Sequence, residues 1–210
     1  MKIHNCVQGE AEWLALRIGR VTASELDQLV TPLLTERKGD MPFTYLCRKV
    51  AEAYRGKPLP EEQFYSFDTE QGQMLEDEAR KFFCFTYDHE RITQPGFCEH
   101  DNGYFGCSPD ALIGDDNGLE IKCPKSKTHV RYLMEGKLPQ EYAPQVHGSL
   151  YATGRSQWTF FSYARGFPPF CLTVERNEEY MEKINEAVTN FHSKLTDALT
   201  RLREMAEAKP

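Results

Sequence analysis

The chain has no long hydrophobic run. Nowhere in its 210 residues do the roughly 20 apolar positions of a membrane span follow one another, and its start, MKIHNCVQGE, lacks the apolar stretch of a secretory leader. These absences predict a cytoplasmic protein with no membrane contact. It also lacks a Cys-x-x-Cys pair. The seven cysteines (Cys6, Cys47, Cys84, Cys98, Cys107, Cys123 and Cys171) are odd in number and scattered, which reads as reduced, mostly buried thiols and not as a zinc or iron–sulfur site. An excess of positive charge is missing too. The net charge of −7 argues against a protein that coats nucleic acid over its whole surface, but it leaves room for a local basic track. Between Ile121 and Lys137 the basic residues Lys122, Lys125, Lys127, Arg131 and Lys137 face a single acid, Glu135. At this length a single domain over 1–210 is the expectation.

What the chain does have is SPDALIGDDNGLEIKC from Ser108 to Cys123. Strands are predicted over about 104–113 and 119–123, joined through Gly-Asp-Asp-Asn-Gly, whose residues tolerate the positive φ angles of a hairpin loop. With the hairpin centred near Asp116, Asp110 falls opposite Lys122 and diagonal to Glu120, within about 8 Å, so that one divalent ion spans both carboxylates. Alternation puts Leu119, Ile121 and Cys123 on one face and Glu120 with Lys122 on the other. Carboxylate oxygens are hard ligands suited to Mg²⁺ or Mn²⁺, and a lysine beside such an ion orients water or stabilises charge on a phosphoryl group. The plain alternative is a solvated ion pair worth about 0–1 kcal/mol.

Other segments fit the first reading. A short amphipathic helix over about 9–17 carries Trp13, Leu14, Leu16 and Arg17. Thr22-Ala-Ser-Glu25 then has capping-box spacing and opens a helix to about Val30, placing Ser24 in a first turn that favours an anion, with Arg17 to complete the pocket. Loops over about 32–42 and 56–63 flank a helix from about Thr44 to Tyr54. A helix capped by Asp68 or Thr69 runs to about Phe85, with Gly72, Leu75, Ala79, Phe82 and Phe83 turned inward. Glu76 alone among its acids lies near that stripe, which makes it the third acidic ligand. From Pro139 a helix continues to Thr153 and stops at Gly154; Pro144 either kinks it or delays its start, and Gln145 follows as an amide able to hold water or a phosphate oxygen. A second hairpin over 157–176 and a long packing helix from Asn177 complete the chain.

Ser108-Pro-Asp110 with Leu119-Glu-Ile-Lys-Cys-Pro124 resembles the core of PD-(D/E)XK nucleases. Trp13-x-x-x-Arg17, Thr22-Ala-Ser-Glu25, Gly72-x-x-x-Glu76-x-x-Ala-Arg80, Tyr142-x-x-Gln145-Val and Val174-Glu-Arg-x-Glu-x-Tyr-Met181 are similar, in order, to the lambda exonuclease (YqaJ-type viral recombinase) branch. The resemblance implies an α/β fold with a central mixed sheet flanked by helices and a long C-terminal helix. It further implies a Mg²⁺-dependent exonuclease, with Mn²⁺ as substitute, that digests one strand of linear duplex DNA from its 5′ end, releases mononucleotides and leaves a 3′ overhang. A ring-shaped homotrimer, a single-strand annealing partner and a bacterial, phage or prophage origin follow from the same likeness. By positional match Asp110, Glu120, Glu76 and the Ile121 carbonyl ligate two ions, Lys122 activates or positions water, and Gln145 assists. Arg17, Thr22, Ser24, Ser108 and Tyr142 match the 5′-phosphate and DNA contacts. The family's further phosphate-binding arginine falls at about Thr128, which leaves Lys127 as its candidate substitute. Two other readings stay open: a structure- or sequence-specific endonuclease on the same core, and a non-catalytic DNA-end-binding protein.

Overall fold

The computed structural model describes residues 1–59, 67–87 and 92–208, with backbone alone over 67–74. In chain order the elements are β1 (Lys2–His4), α1 (Ala11–Arg17), β2 (Val21–Thr22), a 3-10 helix (Ala23–Gln28), α2 (Met41–Arg55), α3 (Phe67–Tyr87), β3 (Ile92–Thr93), β4 (Phe97–Glu99) and β5 (Phe105–Cys107). There follow β6 (Ala111–Ile113), β7 (Asn117–Lys122), α4 (Ser126–Glu135), a 3-10 turn (Gln140–Tyr142), α5 (Ala143–Thr153), β8 (Gln157–Ser162), β9 (Phe170–Glu175) and α6 (Glu178–Glu207). Among the described residues no helix is long and apolar enough to cross a membrane.

One sheet is five-stranded and mixed, in the order β3-β6-β7-β8-β9, with β7 and β8 parallel and the other neighbours antiparallel. A parallel pair needs a long crossover, and α4 and α5 supply it between β7 and β8. Central β7 is covered on both faces. Leu119 and Ile121 pack with Ala111, Ile113 and Phe161 against Ala79 and Phe83 of α3. Full burial of each of these large side chains contributes about 1.5–3 kcal/mol. On the other face Leu112, Trp158 and Phe160 join a larger core with Val146 and Leu150 of α5 and Ile184 and Val188 of α6. Gly118 is required there, because a Cβ at that position meets the Trp158 ring at 2.2 Å. The mixed sheet, flanking helices and long last helix agree with the expected fold class.

Several expectations are corrected. The strand predicted over 104–113 is two strands in two sheets: β5 belongs to a four-stranded sheet, β1-β4-β5-β2, and β6 to the five-stranded one. The chain crosses between them at Ser108-Pro109-Asp110, where Pro109 has no N–H with which to continue a ladder. The hairpin is centred one residue earlier than expected. Ala111 faces Leu119 and Ile113 faces Asn117, so continuing the register sets Asp110 level with Glu120 and not with Lys122. The Thr22–Val30 helix is a six-residue 3-10 segment with no side-chain cap, and therefore offers no helix dipole for an anion. Phe82 lies partly exposed against Tyr163, with ring centroids 5.3 Å apart. Only Cys98 and Cys107 of the seven cysteines are buried, although all seven are free thiols. Pro144 occupies the first turn of α5, where a missing N–H costs nothing, so that helix starts late instead of kinking. The helix from Phe67 already contains Asp68 and Thr69; of Gly72 the backbone alone is described, and residues 60–63 of the predicted 56–63 loop lie outside the described residues.

Candidate active site

The Ser108-Pro109-Asp110 crossing delivers Asp110 to the end of β7. The Asp110 amide donates to the Leu119 carbonyl at 3.2 Å, and the Ile121 amide donates to Asp110 Oδ2 at 2.5 Å. Since the N–H and C=O of one strand residue point to the same side, the Ile121 carbonyl also faces the Asp110 side. Period-two alternation aims Glu120 and Lys122 away from the α3 core, and Glu120 ends up 2 % exposed. A buried carboxylate needs partners. Lys122 Nζ lies 2.6 Å from Glu120 Oε1, and Gln145 Nε2 of α5 donates to the same oxygen at 2.6 Å. The Tyr142 ring lies 5.0 Å from Lys122 Nζ, a cation–π contact. From the other face α3 presents Glu76, whose Oε1 accepts from Arg80 at 2.7 Å, while Arg80 Nε donates to the Asp110 carbonyl at 3.2 Å.

The electrostatics of this corner are those of too many acids in too little water. Burial raises the Asp110 carboxyl well above its usual range, and the Glu120 and Glu76 charges push it the same way. Burial also raises Glu76; Arg80 opposes the shift and Glu120 adds to it. Burial works to lower the Lys122 ammonium, but Glu120 and Asp110 outweigh it and hold Lys122 above its ordinary value. Burial, with the Glu76, Asp110 and Glu78 charges, pushes the neighbouring Cys123 thiol up to about 12, so the local donors are oxygens and not a thiolate. Two carboxylates and a backbone carbonyl fit a hard divalent cation that keeps water and phosphate oxygens as its other ligands. Among the described residues no three His, Cys, Asp or Glu side chains converge on one point. The acids are instead held apart by Arg80, by Lys122 with Gln145, and by the Ile121 amide. The donor set therefore suits one ion between Asp110 and Glu120, and a second only when Glu76 turns from Arg80.

A second cluster adjoins the first through Ser108. Its Oγ accepts from the Trp13 indole N–H at 2.7 Å, and the Arg17 guanidinium stacks over Trp13 at 4.3 Å. Beyond Arg17 lies Glu25, the centre of the cluster. Its Oε2 accepts from Thr22 Oγ1 at 3.1 Å and Tyr45 Oη at 3.2 Å, and lies 3.2 Å from Lys49 Nζ and 3.9 Å from Arg17. Its Oε1 accepts from Arg48 at 2.7 Å. Burial works to raise the Glu25 carboxyl, and the Lys49, Arg17 and Arg48 charges overcome it and hold it low. Ser24, exposed, has its hydroxyl 3.2 Å from that of Thr22. The residues predicted for the phosphate pocket thus divide: Arg17, Thr22, Ser24 and Ser108 share one network, Tyr142 stands beside Lys122, and Lys127 is exposed in the first turn of α4.

Residues 12–156 match the family model of the YqaJ-like viral recombinase domain. The chain belongs to that family. No curated protein matches it by sequence. Among solved structures it is similar to an alkaline exonuclease, LHK-Exo, from Laribacter hongkongensis, with 28% identity, 94% of this chain and 98% of that one covered, and a TM-score of 0.83. The same enzyme in complex with dAMP gives 29% identity with the same coverage and TM-score. A phage-related exonuclease from Haemophilus somnus 129PT, 14% identical over 87% of this chain and 96% of that one with a TM-score of 0.66, shares the fold. Family membership and the shared fold thus place the chain beside these exonucleases. Every candidate site residue of this YqaJ-like domain lies within the matched span. Sequence reasoning quoted Glu25 and Arg80 only as motif letters and missed Arg48 and Lys49. The available signal was Tyr45-x-x-Arg48-Lys49, whose i, i+3, i+4 spacing puts all three on one face of α2.

Proposed function

We propose that this protein digests one strand of linear duplex DNA from the 5′ end with Mg²⁺ or Mn²⁺, releasing mononucleotides and leaving a 3′ overhang for strand annealing in phage-type recombination. The observation that carries the reading is that Ser108-Pro109-Asp110 joins the two clusters. Ser108 belongs to the cationic network and Asp110 to the acidic corner, at most about 7 Å apart along the chain. A terminal phosphate held at the first sets which phosphodiester lies at the second, and that coupling favours an exonuclease over an endonuclease. The dAMP bound by LHK-Exo is a mononucleotide, the product class expected.

In this reading Asp110, Glu120 and the Ile121 carbonyl hold the first ion, and Glu76 contributes to a second. When bound, such ions would supply Lewis-acid stabilisation of phosphoryl charge and a water more acidic than bulk water. Lys122, fixed by Glu120 and the Tyr142 ring, orients the attacking water or neutralises charge on the phosphoryl oxygens. Gln145 holds the Glu120 carboxylate in place. Lys125, Lys127, Arg131 and Lys137, exposed on and beside α4, contact the DNA backbone. A ring of three copies, placing these residues around a channel and acids outside, reconciles them with the net charge of −7, and a single-strand annealing protein receives the overhang in the bacterial cytoplasm. The test is 3′-labelled linear duplex and uniformly labelled, covalently closed circular duplex, each incubated with Mg²⁺. Linear duplex is expected to lose its 5′-ended strand as mononucleotides while closed circles persist; comparable cutting of circles overturns the exonuclease assignment. Light scattering of the purified chain is expected to give three times the protomer mass.

A further inference from the structure

We propose that Arg155 is a positioning residue for the acidic corner: it holds the β6–β7 hairpin in the register that sets Asp110 level with Glu120, with α5 as the strut between them. The inference rests on the nuclease reading above and adds to it a side chain at the end of the hairpin away from the chemistry.

Strand alternation does not by itself choose that register. Because side chains repeat every two residues, a pairing shifted by two keeps Ala111, Leu112 and Ile113 on their own faces while it moves Asp110 from Glu120 to Lys122. The hydrophobic pattern allows both. On its other side β7 is fixed against β8, since Gly118 faces Trp158 and a Cβ there meets the ring at 2.2 Å. What remains to be set is β6, whose three residues pair with β7. The connecting loop, Gly114-Asp115-Asp116, is therefore decisive, because turn type and loop length fix the register of a hairpin.

Arg155 grips that loop. Gly154, at φ +71, ends α5 and turns the chain toward the hairpin, where Arg155 is 9% exposed. Its Nη1 donates to the Asn117 carbonyl at 2.7 Å, the Gly114 carbonyl at 3.1 Å and the Ile113 carbonyl at 3.4 Å. These carbonyls lie on both flanks of the loop, so one guanidinium nitrogen holds Ile113 across from Asn117. A shift by two puts Asp115 there instead and breaks up the set. Ser156 adds its amide to Asp116 Oδ1 at 2.8 Å and its hydroxyl to Oδ2, and the Gln157 amide donates to the Asp116 carbonyl at 3.2 Å. The other end of α5 holds the other end of β7, where Gln145 donates to Glu120 Oε1 at 2.6 Å. From Gln145 to Thr153 the helix runs about 12 Å, and from Asn117 to Glu120 the strand runs about 10 Å. The two lengths match, so α5 fastens the hairpin both at its loop and at its proposed metal ligand.

The experiment uses the full metal-free chain as wild type, Arg155→Met, Arg155→Lys and, as a control for stability alone, Leu195→Ala on the buried face of α6. Amide hydrogen exchange is read at Asp110 and Ile121, whose N–H groups bond to the Leu119 carbonyl and to Asp110 Oδ2, and Mn²⁺ affinity is read by calorimetric titration. In Arg155→Met both amides are expected to exchange at least about ten-fold faster relative to the amides of β8, and Mn²⁺ to bind about 10–100-fold more weakly. Arg155→Lys, which returns a donor to the carbonyls, is expected to fall between Arg155→Met and wild type, and it carries the test if the methionine variant does not fold. Leu195→Ala is expected to lower the urea midpoint without singling out these two amides and to keep the Mn²⁺ affinity. Either readout at its wild-type value in both Arg155 variants, or losses with the pattern of Leu195→Ala, overturns the role of Arg155 alone. A wild-type chain that leaves duplex DNA uncut in Mg²⁺ overturns it together with the nuclease reading.

Discussion

Ser108 and Asp110 lie two residues apart and belong to regions of opposite electrostatic design. Around Asp110 three carboxylates, Glu76, Asp110 and Glu120, outnumber the cations Arg80 and Lys122, and the Asp110 and Glu76 carboxyls are held high because burial and the Glu120 charge oppose ionisation. Around the Trp13–Ser108 contact, Glu25 is faced by Arg17, Arg48 and Lys49, and its carboxyl titrates low despite burial. The first region is short of positive charge and suits a cation; the second suits an anion. A phosphodiester coordinated at one and a terminal phosphate held at the other use both together.

The comparison is broken most severely at the acidic corner. Asp110→Ala removes a proposed ligand and Lys122→Ala removes the ammonium paired with Glu120, and each is expected to lower the Mg²⁺-dependent rate at least about 10³-fold. Binding of a labelled duplex end, followed by fluorescence anisotropy, is expected to persist in both, because the cationic cluster is untouched. Turnover retained by both variants removes the site. A proportionate loss of end binding means that the two regions are one and not two.

A milder change tests how the acids are held apart. Arg80 links Glu76 to the Asp110 carbonyl and thereby sets the distance between α3 and the hairpin. Residues that orient metal ligands typically matter 10–100-fold, so Arg80→Ala is expected to raise the Mg²⁺ concentration for half-maximal rate about that much while the ratio between phosphorylated and hydroxyl ends stays constant. Calorimetric titration with Mn²⁺ in the absence of DNA is expected to show the same weakening. An unchanged metal dependence reduces the Arg80–Glu76 contact to an ordinary i,i+4 pair.

The two regions also differ in how far they can be read from sequence. Asp110, Glu120 and Lys122 come close because two short strands and a polar turn bring them there, and strand alternation is a local property; even so, moving the hairpin centre by one residue shifts the pairing by two and sets Asp110 against Glu120 instead of Lys122. Glu76 was legible from its place at the edge of an apolar stripe. The cationic cluster is assembled from α1, the 3-10 segment, α2 and the end of β5, elements distant in sequence, and periodicity within any one of them says nothing of the others. Thr22-Ala-Ser-Glu25 matched a capping box by spacing, yet the Glu25 carboxylate turns to Tyr45, Arg48 and Lys49 because three donors from α2 outcompete one backbone amide. The break at Pro109 was visible as a proline but not as a change of sheet, since a proline marks where a ladder stops and not where the chain goes next.

The smallest expected effect concerns stability and sharpens the contrast in titration. The Glu25 carboxyl is lower in the folded chain than its ordinary value of 4.5, so the unfolded chain takes up a proton before the folded one as pH falls. The resulting stabilisation is complete above about 4.5 and is lost as pH drops through the folded-state value. Glu25→Gln has no proton to bind there. It is expected to be less stable than wild type at neutral pH, on the order of 1–2 kcal/mol for charged hydrogen bonds exchanged for neutral ones. The difference is expected to shrink as pH falls below about 4.5, because protonation makes the wild-type side chain neutral as well. Urea midpoints of the two metal-free proteins measured across this range check the prediction. A gap that stays constant down the acid limb means that Glu25 is held by packing, and that Arg17, Arg48 and Lys49 contribute nothing to its charge state.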